Sequence, residues 1–279
     1  NNVRAALRWC LDRGAADDGL RLAAALGELW SHLGRPGEGY RWLVALLDLP
    51  TGATTVTTRA KAQCWAGALA LMVGDATRAH ALLGESLAYA RAVQDHSIVG
   101  EAAMRLGLLT LSRGDYATAR RLFEESLAAR RRAGTREQVL RSIYFLSLVM
   151  VWQGEHAAAH ALLEGGLAEA RAIGYRHGAA AILGTLGLVA MARGDHGAAR
   201  RQWEESLRLF EGSMDWSEVS AVQNYLAGLD AREGDVAAAR AGYAASLTLT
   251  RPARFVFRIA QSLDGLAVLA AGQNQMERA

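Results

Sequence analysis

The 279-residue chain has very little proline, cysteine and lysine: three prolines, two cysteines and a single lysine, Lys61. Because proline breaks helices and alanine and leucine favour them, this composition indicates a mostly helical chain. Cys10 and Cys64 have no other metal-ligating residue at a metal-site spacing, which argues against a cysteine-based metal centre. Both thiols are expected to act as small apolar side chains in a reducing compartment.

The chain also lacks a large excess of positive or negative charge, and it lacks long apolar runs. The formal net charge is +3 and 51% of the residues are hydrophobic, which excludes an intrinsically disordered chain. A net positive charge this small is only weak evidence for a nucleic-acid partner. The longest nearly apolar stretch, residues 178–192, is shorter than the ~20 residues of a membrane-spanning helix. With no signal peptide recognisable, we expect a cytoplasmic protein without membrane contact.

A 40-residue repeat organises almost the whole chain. A glycine followed by an acidic residue recurs at Gly74, Gly114, Gly154, Gly194 and Gly234. Around each glycine, small residues stand seven positions before and five after, a bulky residue nine after and a leucine thirteen after. This spacing predicts that the glycine ends one helix in the left-handed conformation and that the acidic residue caps the next helix.

Each repeat is therefore predicted to be a helical hairpin in which small residues allow close approach and bulky residues fill the neighbouring groove. Because one hairpin cannot bury all of its apolar positions, the hairpins must stack. The predicted fold is all-α, a right-handed superhelical solenoid of about six to seven antiparallel hairpins. Phe123 and Trp203 are expected in its core, and Trp9, Trp30 and Trp42 in the core of the first hairpin.

We expect one domain over residues 1–279. Its expected parts are an N-terminal capping helix with the first hairpin (1–50), five regular repeats (51–250) and a degenerate, truncated last repeat (251–279). Residues 51–55 and 251–253 interrupt the pattern and are interpreted as longer loops between repeats. Gly272 stands two residues before the next turn position.

The repeat resembles the tetratricopeptide (TPR) signature. The residues that carry this resemblance are Leu106, Gly107, Gly114, Tyr116, Ala119, Phe123 and Leu127, and again Leu186, Gly187, Gly194, Ala199, Trp203 and Leu207. The unit departs from the family in having 40 residues instead of about 34, and in having Arg131 where the family has proline. Longer units of this kind, and the opening segment 2–9, resemble the array of large ATP-dependent (STAND-type) bacterial transcription regulators of the LuxR and antibiotic-regulatory types.

The resemblance implies a binding face formed by the first helix of each hairpin. Carrying the family's concave positions over to this chain gives nine candidate residues: Glu101, Met104, Leu108, Arg141, Tyr144, Leu148, Trp152, Asn224 and Arg232. An arginine at such a face would anchor a carboxylate, an asparagine would bond a peptide backbone and aromatic rings would pack beside them. The alternative is that the apolar members of the set pack against one another.

No motif for catalysis or cofactor binding is found. The sequence contains neither a GxxxxGK[ST] phosphate loop nor a nucleophile elbow, so we expect neither an enzyme nor a bound cofactor. His156 and His160 share a helix face, but without a third ligand we predict no metal site. Arg120 has acidic Glu124 four residues downstream, which predicts helix-surface ion pairs and not direct contact with nucleic acid.

Two functions stay open. The first is a non-catalytic module of a bacterial signalling or transcription-regulatory protein that binds a peptide, a protein segment or a small effector. The second is an intramolecular scaffold or autoinhibitory arm that contacts the ATPase or DNA-binding domain of its own protein. Both use the curved surface that stacked helical repeats provide.

Overall fold

The computed structural model describes residues 2–50, 56–213, 215–253 and 256–276, and all regular structure within them is α-helical, as predicted. The chain forms two compact units, unit 1 (Asn1–Ser142) and unit 2 (Ile143–Ala279). The helices of unit 1 are α1 (Asn2–Arg13), α2 (Ala16–Ala25), α3 (Gly27–His32), α4 (Pro36–Leu47), α5 (Val56–Met72), α6 (Ala76–Ala92), α7 (His96–Ser112) and α8 (Tyr116–Ala133). The boundary between the units falls inside α9 (Arg136–Trp152), and unit 2 continues with α10 (His156–Ala172), α11 (Arg176–Ala192), α12 (His196–Phe210), α13 (Trp216–Glu233), α14 (Val236–Ala253) and α15 (Val256–Met276).

Stacked hairpins make up each unit. In unit 1, α5 packs on α6 and α7 on α8, and in unit 2, α11 packs on α12 and α13 on α14. The turns inside the hairpins lie where the repeat predicts them, with Gly114 at φ 79° and Gly194 at φ 77°. Because a side chain at such positive φ is strained, glycine is the residue that ends these helices without cost. The predicted turn positions are confirmed.

Aspartates start the second helices, also as predicted. Asp115 Oδ1 accepts a hydrogen bond from the backbone N–H of Thr118 at 3.0 Å, and Asp195 Oδ1 accepts one from Ala198 at 2.8 Å. Each bond satisfies one of the free N–H groups at a helix N-terminus. The turns between hairpins contain a second set of left-handed residues that the repeat count missed, namely Gln94, Gly174 and Gly212.

The small and bulky positions of the repeat meet inside each hairpin. A Cβ added at Gly107 would lie 2.6 Å from Phe123 Cε1, and one added at Gly67 would lie 2.6 Å from Leu83 Cγ. The glycine therefore lets the bulky side chain of the second helix rest directly on the backbone of the first. This close packing is what the spacing predicted.

A buried serine adds a polar link to the same hairpins. Twelve residues after the turn glycine, Ser86, Ser126 and Ser206 donate their hydroxyls to carbonyl oxygens of the first helix at 2.7, 2.8 and 2.8 Å. A helical carbonyl has a second lone pair free for such a bond, so the hydroxyl is buried without the cost of an unpaired polar group. The serines hold the two helices in one register, a role that was not predicted.

Three expectations differ from the structure. Trp30 is buried, but Trp9 is 54% exposed because α1 turns only Leu7 and Cys10 inward. Arg251–Ala253, interpreted as a loop, is the last turn of α14, and Gly272, near an expected turn position, lies within α15. The other expected loop, residues 51–55, lies outside the described residues. Within the described part of the chain, no helix is both long enough and apolar enough to cross a membrane.

Candidate functional site

The nine candidate residues differ widely in exposure. Met104 is 1% exposed and Leu148 and Asn224 are also buried, so their side chains support the fold around them. Leu108, Glu101 and Tyr144 are half-buried, whereas Arg141, Trp152 and Arg232 are exposed. Of the nine, the structure brings Glu101 and Arg141 together, with Arg141 Nη2 3.3 Å from Glu101 Oε2.

These two residues line a groove of about 290 Å³ in unit 1. Helices α3, α5, α7 and α9 form its walls. The lining side chains of this unit 1 groove are Glu28, Lys61, Cys64, Trp65, Ser97, Ile98, Glu101, Arg105, Gln138 and Arg141. The groove is therefore formed by the first helices of successive hairpins, which is where the resemblance placed a binding face.

Two register positions of the repeat supply most of the polar lining. Lys61, Glu101 and Arg141 are spaced by 40 residues on successive first helices, and so are Trp65 and Arg105. On each helix the two positions are four residues apart and share one face. Stacking thus brings residues that are distant in sequence into two parallel rows along the groove.

Glu101 is the centre of an ionic cluster. Its Oε1 accepts from Arg105 Nη2 at 2.7 Å, and its Oε2 lies 2.6 Å from Arg130 Nη2. Burial raises the pKa of Glu101, but the positive charges of Arg105, Arg130 and Arg141 outweigh it and hold that pKa below the ordinary value. The carboxylate is therefore ionised at neutral pH.

Arg130 lies buried behind the groove wall and holds Glu101 in place. Its side chain is 2% exposed, and beyond Glu101 its Nη1 donates to the Gln138 carbonyl at 3.1 Å and to Ser142 Oγ at 3.3 Å. Burial lowers the pKa of Arg130 to about 10, opposed by the charge of Glu101, so the guanidinium stays charged at neutral pH. A Cβ at Gly100 would lie 2.8 Å from Arg130 Cγ, so the glycine makes room for this side chain.

The remaining wall combines an aromatic ring and a thiol. The guanidinium of Arg105 lies 4.6 Å from the ring centroid of Trp65, a cation–π contact that holds both side chains at the groove. Trp65 in turn packs on Gly27, where an added Cβ would overlap the ring. Burial raises the pKa of the Cys64 thiol to about 11, so this cysteine is protonated and a poor nucleophile at neutral pH.

In unit 2, the candidate residues Tyr144 and Asn224 bond to other side chains of the unit. Tyr144 donates its hydroxyl to Glu218, with Oη 3.0 and 3.1 Å from the two carboxylate oxygens. Asn224 Oδ1 accepts from Ser262 at 2.9 Å, and His177 Nε2 lies 2.9 Å from Asp215 Oδ2. Asp215, His177 and Tyr144 all act on the carboxylate of Glu218, so these four residues form a polar cluster within the unit.

Because of Glu218, we expect the stability of unit 2 to depend on pH. Burial raises the pKa of Glu218, and nearby Asp215 adds to the rise although Arg258 and Tyr144 oppose it. Between pH 4.5 and the raised pKa the folded state holds more protons than the unfolded state, so stability falls as pH rises. Glu218→Gln removes this loss and still accepts a hydrogen bond from Tyr144.

We therefore expect Glu218→Gln to gain thermal stability relative to the unmodified chain as the pH increases from 4.5 to 7. Melting curves of both proteins across this range measure the difference. A difference that is constant with pH contradicts the assignment of a raised pKa to Glu218.

The histidine pair and the helix-surface arginines considered from the sequence lie outside the lining of the unit 1 groove. No group of three or more His, Cys, Asp or Glu among the described residues could hold a metal ion, and His160 Nε2 lies 3.8 Å from Glu164. Arg120 pairs with Glu124 at 2.9 Å, which confirms the predicted helix-surface ion pair. Arg200, two repeats after Arg120 in the same register, has Glu204 four residues downstream but pairs with Asp230 and Glu233 on the first helix of the neighbouring hairpin.

Sequence reasoning missed Lys61, Trp65, Arg105 and Arg130. Lys61 stands at the register position of Glu101 and Arg141, but the family's concave positions were carried over only to later repeats. Trp65 and Arg105 stand four residues further along, at a position that the candidate set does not include. Comparison of the varying positions at the 40-residue interval would have found the two rows. Arg130 stands in a run of three arginines, and nothing in this local sequence indicates that it is buried.

Comparison with known proteins shows the fold. Neither a protein-family model nor a curated protein sequence matches this chain. Among solved structures, it is similar to the apo form of RapI (TM-score 0.69, 11% identity, covering 85% of each chain) and to a Rap protein complexed with competence and sporulation factor (TM-score 0.65, 12% identity, covering 94% of this chain and 80% of that one). It is also similar to YrrB, described as a TPR protein with an unusual peptide-binding site (TM-score 0.51, 12% identity, covering 75% and 94%). At these identities the likeness concerns architecture alone: the chain has a TPR-like fold of stacked helical hairpins.

Proposed function

We propose that this chain is a non-catalytic binding module that holds a peptide or protein segment in the unit 1 groove. The observation that carries the proposal is the groove itself, where two rows of side chains with different chemistry line adjacent rigid helices. Guanidinium and ammonium groups offer charge-assisted hydrogen bonds, and Trp65 offers an aromatic surface. The protonated Cys64 supplies no nucleophile for catalysis.

Two similar structures support a peptide or protein ligand by analogy. YrrB is described as having a peptide-binding site, and one Rap protein is complexed with competence and sporulation factor. An extended segment suits this groove because its lining repeats from helix to helix, so successive ligand residues would meet successive rows. A small effector would use only part of the groove.

A more specific proposal follows from the resemblance to ATP-dependent bacterial transcription regulators. In that setting the array is a cytoplasmic sensor, and occupancy of the groove is passed to attached ATPase and DNA-binding domains. Residues 1–279 would act as one domain. If the chain is instead an autoinhibitory arm, the bound segment belongs to the same polypeptide.

Steric occlusion tests the groove without changing its charge. An array of random 12-residue peptides is probed with the labelled chain, and the dissociation constants of captured peptides are measured by fluorescence polarisation. Ser97 lines the groove at the second position of α7, so Ser97→Phe is expected to weaken binding at least about 100-fold by displacing the ligand.

The matched control is Ala117→Phe, an exposed residue at the second position of α8 and outside the groove lining. It is expected to leave both affinity and helicity unchanged. Equal binding by the Ser97→Phe variant, or an array with no captured peptide, contradicts the proposal. Capture of a separately produced ATPase domain of the same polypeptide, lost with Ser97→Phe, identifies the bound segment as intramolecular.

A further inference from the structure

The unit 1 groove contains more positive than negative charge. Four cationic side chains and two carboxylates lie in its walls or directly behind them, which leaves an excess of two positive charges. The cations are Lys61, Arg105, Arg130 and Arg141, and the anions are Glu28 and Glu101. Because the ionic cluster is partly removed from water, each of these charges acts more strongly than it would on an open surface.

Several donors of this cluster remain free for a ligand. Arg141 is 47% exposed, and its one bond within the described part of the chain is the long contact of 3.3 Å to Glu101, so most of its N–H groups face the groove or solvent. Lys61 is exposed on the same row as Glu101 and Arg141. These donors favour an anionic partner.

Glu101 is the residue that limits this preference. Its two oxygens already accept from three guanidinium groups at 2.6, 2.7 and 3.3 Å, so it occupies the point where the arginines converge. Its position is held by Arg130, which is buried and bonded to Gln138 and Ser142. A negative ligand group must therefore bind beside Glu101, toward Arg141 and Lys61, against the repulsion of a fixed carboxylate.

Resting on the function proposed above, we infer that the groove selects a peptide segment that carries an anionic side-chain group, and that Glu101 sets the strength of this selection. Arg141 and Lys61 contact the anion, while Glu101 acts as a built-in competitor for the same donors. The anion is a carboxylate or a phosphate, since both accept from guanidinium and ammonium groups. Ligand affinity then falls with ionic strength.

The test uses the full chain and matched peptides. A captured 12-residue peptide is synthesised with Asp, phosphoserine, Asn or Lys at its anionic position, and binding is measured by fluorescence polarisation. The Asp or the phosphoserine peptide, or both, should bind more tightly than the Asn peptide, and the Lys peptide most weakly. Which of the two anions binds identifies the source of the charge.

Substitutions of charged residues in the groove test which charges determine the affinity for the peptide. Glu101→Gln should tighten binding of the anionic peptide about tenfold because a like charge is removed. Lys61→Gln should weaken binding of the anionic peptide several-fold. Because Lys61 is exposed, this variant still tests the contribution of charge to affinity if Glu101→Gln fails to fold. Arg131→Gln, an exposed arginine outside the groove, is the control and should have no effect.

Equal or tighter binding of the Asn or Lys peptide overturns the inference, as does an unchanged or weaker affinity of folded Glu101→Gln for the anionic peptide. The proposed function fails in a different way. If neutral peptides bind best and Ser97→Phe still abolishes their binding, the groove is the binding site and only its anion selectivity is wrong.

Discussion

Replacement of Gly187 by alanine is expected to lower the free energy of unfolding by about 3 kcal/mol. The added Cβ would lie closer than 3.0 Å to the indole of Trp203, so the ring has to move. Trp203 is only 2% exposed, and its indole N–H donates to the Gly184 carbonyl at 2.9 Å. Close-packed neighbours, among them Ala199 and Val222, leave the ring no other position.

Gly165→Ala is the matched control for this prediction. Gly165 lies exposed within α10, and a Cβ there meets nothing within 4 Å. Because alanine has the higher helix propensity, Gly165→Ala is expected to stabilise the protein by up to about 1 kcal/mol. Urea denaturation followed by circular dichroism measures both variants. Similar effects at Gly165 and Gly187 would show that propensity alone, and not close helix packing, decides the glycine positions.

Arg130→Ala is expected to destabilise the protein by about 3 kcal/mol, the cost of removing one partner of a buried ion pair. The substitution removes the 2.6 Å contact with Glu101 and both hydrogen bonds of the guanidinium, to the Gln138 carbonyl and to Ser142 Oγ. It also leaves a void against Gly100, where the aliphatic part of the arginine now packs.

The neighbouring arginine provides the comparison. Arg131 follows Arg130 on α8 but is exposed, so Arg131→Ala is expected to change stability by no more than about 0.5 kcal/mol. Both variants remove one positive charge, so a difference between their free energies of unfolding measures the effect of the burial and the hydrogen bonds of Arg130. Equal unfolding free energies for the two variants, measured in the same urea series, would contradict the role of Arg130 beneath the groove.

The hairpin pattern could be predicted from the sequence because its signals are local. Gly194 ends a helix by its own conformational freedom, and Asp195 caps the next helix through a carboxylate three residues from the bonded N–H. Gly187 and Trp203 could be paired because the same spacing recurs in several repeats. Trp9 was placed wrongly because a single amphipathic helix at the edge of the pattern has no repeat against which to compare it.

The candidate site was predicted only in part. Glu101 and Arg141 were found because they occupy positions that the family resemblance marks. Arg130 was missed because its local sequence, a run of three arginines, is the same whether a member faces solvent or the interior. Met104 and Leu148 lie on the expected helices, yet the neighbouring helices bury them.

The sequence by itself determined the all-helical hairpins, their turns and the residues that pack between paired helices, because backbone conformation, capping and hydrophobic spacing act within a few tens of residues. Only the tertiary structure decided that Glu101 bonds to Arg130 and Arg141 as well as to Arg105 on its own helix, and that Tyr144 bonds to Glu218. The contact with Arg130 joins the two helices of one hairpin, and the contacts of Glu101 with Arg141 and of Tyr144 with Glu218 join helices of different hairpins. Which long side chain reaches which partner depends on how closely the helices stack and on the rotamer that burial leaves available.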